Sequence, residues 1–318
     1  MGLHIIAFTA LIFLLWVSTR CAVTTWAEGL LWLGRQLAGL KSGHVSVNTL
    51  RWHYLHGGTG PTLVLVHGFG ADADHWLKIA PKLSKNFRIF APDLIGFGSS
   101  SEGNDLSFDI SSQAERLNAF LNALNIERCI IAGSSMGGWI ASVLAARYPE
   151  KISALWLLAP LGVNDCRKGP LLEAIDTDFH SPLKAENFIE FEQRVLRPMF
   201  FGSPKLPRPL RMYYWHRAEQ RNARAHTIFS EARGERPHLE TTIEDIEVPI
   251  LLHWGRQDQA VDVSGANTLC KRSAKITAHL LSNTGHLPML EKPNEVSAQF
   301  LDFCRDRNLT DNPAIAPQ

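Results

Sequence analysis

The chain has 318 residues, 45% hydrophobic and 20% charged, with a formal net charge of +1. That composition is globular, the length suits one large α/β domain with an insertion or two modest domains, and the near-neutral balance gives no general attraction for nucleic acid. Cys21, Cys129, Cys166, Cys270 and Cys304 are odd in number and form no C-x-x-C pair or Cys/His cluster, which argues against a disulfide framework or a zinc site.

The N-terminus opens with an apolar run, Ile5–Val17, broken only by Thr9. It is shorter than the ~20 residues of a comfortable membrane span. A cleaved signal peptide has this look, with a weak cleavage candidate at Thr25-Trp26-Ala27, and cleavage would leave a secreted or periplasmic protein. No Lys or Arg precedes the run, however, and the first positive charge is Arg20, after it, which places the following domain on the cytoplasmic side of a membrane. Trp26, Leu30, Leu33, Leu37 and Leu40 then recur at alternating steps of four and three, one stripe of a helix with Glu28, Arg35 and Gln36 off it. Such a helix packs on the domain or lies in a lipid interface. Residues 1–25 are read as a retained hydrophobic anchor and 26–43 as an amphipathic juxtamembrane helix, so the protein is expected to be membrane-associated through a single N-terminal segment.

From residue 44 strands and helices alternate. His44–Leu55 alternates polar and apolar and reads as a hairpin or pair of edge strands closed by Gly57–Gly60. Continuous apolar runs at Thr62–Gly68, Phe87–Asp93, Arg128–Ser134 and Ala154–Pro160 read as strands buried on both faces. Helices are expected between them, near Asp74–Ser84, Ser111–Leu124 and Ser135–Arg147. This βαβ series predicts a mostly parallel, doubly wound sheet. The core is assigned to 44–161 and 246–310, with a tail at 311–318.

Within the run Ile130–Trp139, Gly133, Ser135 and Gly137 fit G-x-S-x-G, whereas Ser134 has no such frame. A nucleophile raised above a sheet needs a sharp strand-to-helix turn, and flanking glycines let strand and helix pass closely. A serine hydroxyl needs a base, and the base an orienting carboxylate. Asp258 follows the strand in Val248–Asp262, and His286 follows the strand in Ala278–Leu290. Ser, Asp and His thus come in the order this fold class uses, each past the C-terminal end of a strand. Asp262 is a second choice of acid, Asp93 is expected to cap a loop, His253 to lie in the core, and His279 to be a poorer base. The oxyanion hole is assigned to the backbone N–H groups of Met136 and, in the loop His67–Trp76, of Phe69. His67 is expected to prop that loop.

Between Leu161 and about Ile246 the alternation lapses into a segment rich in Pro, Arg and aromatics, at the place where the α/β-hydrolases, which the motifs HGFG and GSSMGG resemble, insert a helical cap, so the resemblance implies a cap at 162–245. A cap excludes water and gives an acyl chain an apolar slot. Phe69, Trp139, Phe200, Phe201, Tyr214 and Leu287 are candidate substrate contacts, and Phe188, Phe191, Met199, Tyr213 and Trp215 further lining. From Arg194 to Arg236, Arg194, Arg197, Lys205, Arg208, Arg211, Arg217, Arg221, Arg224, Arg233 and Arg236 face only Glu219, Glu231 and Glu235. This reads as a solvated basic face or as one drawn to anionic headgroups.

The motifs HGFG, DLIGFGSS, GSSMGG, GRQD and GHLPMLEKP resemble the α/β-hydrolase superfamily over roughly Val45–Asp302. The stretch His253–Leu269 resembles the membrane-anchored monoacylglycerol lipases of that superfamily and related bacterial lipases. The resemblance implies Ser135 as nucleophile, Asp258 as acid, His286 as base, and single-chain lipid esters as substrates. GSSMGG also resembles the meta-cleavage C–C hydrolases, which use the same triad, and a short-chain carboxylesterase would use it too. A catalytically silent scaffold is disfavoured by the complete triad. No cofactor, metal or nucleic-acid partner is expected.

Overall fold

The computed structural model describes the backbone of residues 2–103, 105–177, 185–234 and 238–310, and the side chains of these except 2–19 and 221–226. Eight strands form one sheet: β1 (Leu40–Val47), β2 (Leu50–Gly57), β3 (Thr62–Val66), β4 (Arg88–Pro92), β5 (Cys129–Ser134), β6 (Ile152–Leu158), β7 (Ile250–Gly255) and β8 (Ile276–Leu281). Their spatial order is β1-β2-β4-β3-β5-β6-β7-β8. The hairpin β1–β2 pairs antiparallel, and β2 joins β4 antiparallel. All pairings from β4 through β8 are parallel. The main helices are α1 (Gly2–Leu37), α2 (Ile110–Ala123), α3 (Met136–Arg147), α4 (Pro170–Thr177), α5 (Arg208–Gly234), α6 (Ser264–Arg272) and α7 (Pro293–Arg305).

The unbroken apolar runs become the strands covered on both faces. Every residue of β5 and of β7 is buried, whereas β8, at the edge, is largely half-buried. Apolar side chains from the two sheet faces form separate cores, one closed by α2 and α3, the other by α7. α3 is buried without interruption from Met136 to Ala145, so its sequence is apolar all round and lacks a 3.6-residue period. β4 lies on one side of β3 and β5 on the other. The chain therefore reverses direction across the sheet between β3 and β5, and their C-terminal loops flank the crevice where doubly wound sheets bind ligands.

Two expectations are revised. The helix expected over Asp74–Ser84 is two short pieces, Ala73–Trp76 and Ala80–Leu83. The helix expected over 26–43 ends earlier: it is the last part of α1, which runs from Gly2 to Leu37, and β1 has begun by Leu40. Leu40 is buried in the sheet core, because Gly39 takes a positive φ of 67° that ends the helical path. The tail 311–318 lies outside the described residues.

α1 docks through small side chains. Ala27, Leu31 and Ala38 are buried, and a Cβ on Gly34 would lie 3.1 Å from Leu77. Of the stripe read from the sequence, Trp26 (70% exposed), Leu33 (48%) and Leu37 (72%) face away, whereas Leu30 is half-buried beside the cavity. Arg35 holds the helix by a two-pronged bond to Asp74, with Nε 2.7 Å from Oδ1, and Arg20 pairs with Glu219 of α5. Among the described residues no helix is long and apolar enough to cross a membrane. The expected anchor, Ile5–Val17, concerns side chains outside that description.

Candidate active site

The turn from β5 into α3 places Ser135 at φ 53° and ψ −121°, a backbone state that L-residues rarely adopt. The glycines around it answer to contact. A Cβ on Gly133 would sit 2.2 Å from the carbonyl oxygen of Gly137, and one on Gly137 would sit 2.3 Å from that of His67. Strand, helix and the loop after β3 therefore meet backbone to backbone at this point.

Asp258 and His286 come together from the ends of β7 and β8. His286 Nδ1 lies 2.8 Å from Asp258 Oδ2. A carboxylate only accepts, so Nδ1 carries the proton and Nε2 is left as the basic nitrogen. Asp258 is itself held. Its Oδ1 accepts the N–H groups of Ala260 (2.8 Å) and Val261 (2.9 Å), and its Oδ2 accepts the indole N–H of Trp254 at 3.1 Å. Ser135 and His286 line the same cavity of about 490 Å³. The backbone N–H groups of Phe69 and Met136 face no acceptor among the described residues. Met136 is the first residue of α3, where N–H groups have no partner within the helix. Such an arrangement can activate a hydroxyl, orient a base and receive a developing oxyanion.

The rival residues have other employment. Asp93 accepts the N–H groups of Ala73 (2.7 Å) and Ser99 (2.6 Å) and lies 2.8 Å from His53 Nδ1. His67 spends both ring nitrogens on the backbone, Nδ1 toward Gly68 O at 2.7 Å and Nε2 accepting from Leu94 N–H at 3.0 Å. His253 accepts the Trp156 indole N–H at 2.8 Å and bonds Gln299 through its other nitrogen, and burial pushes its pKa down to about 3. His279 stacks on His253. Asp262 caps the start of α6 at Ser264 and pairs with Arg167.

Of the candidate substrate contacts, Phe69, Phe200, Tyr214 and Leu287 line the cavity, and so do Phe191, Met199 and Trp215. Trp139 and Phe201 do not. Trp139 lies under the chain, so close to Gly162 that a Cβ there would sit 2.2 Å from its ring, and Phe201 is 43% exposed outside the cavity. Phe188 packs instead in a small cap cluster with Phe191 and Trp215. The lining is mostly apolar, with Leu161, Leu171, Ile175, Phe229 and Val261 on one side and Leu30, Leu31 and Gly34 of α1 on another. Part of the basic excess of residues 194–236 is neutralised by ion pairs. Arg217 pairs with Asp72 at 3.0 Å, Arg211 with Glu192 and Arg233 with Asp176. Arg221, Arg224, Glu235 and Arg236 lie outside the described side chains. No cluster of three or more His, Cys, Asp or Glu side chains among the described residues is arranged to hold a metal.

Sequence reasoning missed a carboxylate cluster beside the cavity. Asp72 and Asp74 lie in the loop after β3, Asp93 after β4, and all three are buried. Burial first, and then the charges of Asp74 and Asp93, raise the Asp72 carboxyl to about 7, against the pull of Arg217. The Ala-Asp repeat Ala71-Asp72-Ala73-Asp74 of this loop was the available signal.

Comparison with known proteins agrees with this architecture. Residues 61–198 match the alpha/beta hydrolase fold family. Human monoacylglycerol lipase ABHD6 is 27% identical over 98% of this chain and 94% of its own length. Lipase 1 of Psychrobacter immobilis is 26% identical over 77% of each chain. A solved bacterial membrane phospholipase A, described as a virulence factor, is 35% identical with a TM-score of 0.86, covering 96% of this chain and 99% of its own. A Rhodococcus 2-hydroxy-6-oxo-6-phenylhexa-2,4-dienoate hydrolase shares the fold at 24% identity and a TM-score of 0.73, over 84% of this chain and 99% of its own. With its buried parallel sheet, its elbow serine and near-complete coverage of a 35%-identical structure, this chain belongs to the α/β-hydrolase fold family.

Proposed function

We propose that the protein is a membrane-associated serine hydrolase that cleaves carboxylic esters of single-chain lipids, with monoacylglycerols as the preferred class. The observation that carries this reading is one apolar cavity of about 490 Å³ that has both Ser135 and the Asp258-held His286 on its wall. Ser135 Oγ attacks the ester carbonyl while His286 Nε2 takes its proton. The N–H groups of Phe69 and Met136 hold the oxyanion, and His286 returns the proton to the leaving alcohol. Water, activated by the same imidazole, then releases the fatty acid from Ser135. Asp258 keeps the imidazole in the tautomer this requires. The lipase names of the relatives support an acylated lipid as substrate.

The exposed apolar stripe of α1 supports lipid contact, and Leu30, Leu31 and Gly34 of the same helix border the cavity. An acyl chain leaving the bilayer would therefore have a short apolar path to Ser135. The test is fatty-acid release from detergent-dispersed monooleoylglycerol by the wild type beside Ser135→Ala. Release by the wild type alone is expected, and equal release by both would remove Ser135 from the reaction.

A further inference from the structure

The base-bearing loop and the cap touch through their backbones. His286 N–H donates to the carbonyl of Met199 at 3.0 Å. A Cβ on Gly285 would lie 2.8 Å from Phe200 C and Phe201 N and 3.0 Å from Met199 O, so only glycine allows this approach. Beneath the contact sits Glu291, 6% exposed. Its Oε1 accepts the N–H of Gly285 and its Oε2 accepts the N–H of Phe201, each at 2.8 Å. No salt bridge to Glu291 exists among the described residues. Burial raises its carboxyl pKa, and the N–H groups of Phe201 and Gly285 lead the opposition to that rise. A buried carboxylate is costly. This one returns that cost as two charge-assisted bonds to two segments far apart in sequence.

We propose that Glu291 is a positioning residue for the hydrolysis: its two oxygens lock the loop that carries His286 to the cap segment Met199–Phe201, so that base and cavity wall are held as one unit. Phe200 and Met199 of that segment line the cavity, while Gly285 immediately precedes the base. One carboxylate thus fixes the distance between the imidazole and the wall that seats the acyl chain. A glutamine cannot replace it, because its side chain has one acceptor oxygen and an amide N–H₂ that would face a backbone N–H. The proposal rests on the ester-hydrolase reading above.

The experiment uses the full chain in detergent, with p-nitrophenyl acetate and monooleoylglycerol as substrates and turnover counted per fluorophosphonate-reactive site. Glu291→Gln is expected to lower kcat on both esters by about tenfold or more, as sub-ångström misplacement of a base does, with KM within about twofold. Phe201→Pro replaces the cap-side N–H with a ring carbon that displaces Glu291 Oε2, so it breaks the same contact from the other side, and it serves if Glu291→Gln does not fold. It is expected to lower kcat in the same direction. Full turnover per reactive site in Glu291→Gln, with only Tm lowered, would overturn the proposal by reducing Glu291 to a structural residue. Wild-type turnover in Phe201→Pro would overturn it as well, since the cap would then play no part. A wild type that is labelled by the fluorophosphonate yet turns over neither ester would instead overturn the ester-hydrolase reading, and with it this role. The two failures are thereby separate.

Discussion

Asp258 meets four donors at once, from Ala260, Val261, Trp254 and His286. Asparagine would present an N–H₂ to at least one of them and would favour the wrong imidazole tautomer. Asp258→Asn should therefore lower kcat by about 10³–10⁴-fold with little change in KM, measurable on a soluble ester. Gly137 makes a different kind of residue-scale prediction. Its Cβ would sit 2.3 Å from His67 O and 2.4 Å from Val66 O, both buried backbone where β3 ends and its loop begins. Gly137→Ala should cost about 1–3 kcal/mol in denaturant unfolding, and should lower activity as well, because the displaced backbone leads into the Phe69 loop. Unchanged stability would mean that the loop yields more easily than its packing implies.

At the scale of elements, the loop after β3 is gripped from two sides, at Asp74 by Arg35 of α1 and at Asp72 by Arg217 of α5. Removing Arg35 leaves a nearly buried Asp74 carboxylate beside two others. Arg35→Ala should cost about 1–3 kcal/mol and loosen α1, read as faster amide exchange over residues 27–38. The cluster also predicts a pH dependence. Asp72 has its pKa raised to about 7 in the fold, by burial and by Asp74 and Asp93, from an unfolded value near 3.8. Folding therefore favours its protonated form. That contribution is fully present below about 4 and is lost as pH rises toward and through about 7. The stability of the wild type relative to Asp72→Asn should fall between pH 5 and pH 8. A constant difference would show that Arg217 holds Asp72 ionised throughout.

For the whole molecule, the proposed lipid contact rests on the exposed apolar side chains of α1. Trp26, Leu33 and Leu37 contribute little to the packed domain, so replacing all three by serine should leave Tm and hydrolysis of a soluble ester nearly unchanged. Flotation with phosphatidylglycerol-containing vesicles should decrease. Undiminished flotation would move the membrane contact to Ile5–Val17 alone.

Much of this was legible in the sequence because it is local. Buried parallel strands must be continuous apolar runs, a strand-to-helix elbow needs glycine on both sides of its serine, and Ser135, Asp258 and His286 stand where each strand ends. The rest depends on which surfaces meet. Trp139 and Phe201 carry the same chemistry as Phe69 and Phe200, and only the path of the folded chain puts the latter pair on the cavity and leaves the former off it. A run of arginines shows its charge in the sequence but not its partners, so the pairing of Arg217 with Asp72, 145 positions away, appears only in three dimensions. The helical stripe of α1 was visible as periodicity, but periodicity marks an apolar face without saying what covers it. The tertiary structure decides that the domain takes the face of Ala27, Leu31, Gly34 and Ala38 and leaves Trp26, Leu33 and Leu37 exposed. Glu291 is the same lesson in one residue: its sequence setting does not single it out, and the backbone N–H groups of Gly285 and Phe201 that it accepts are delivered to it only by the fold.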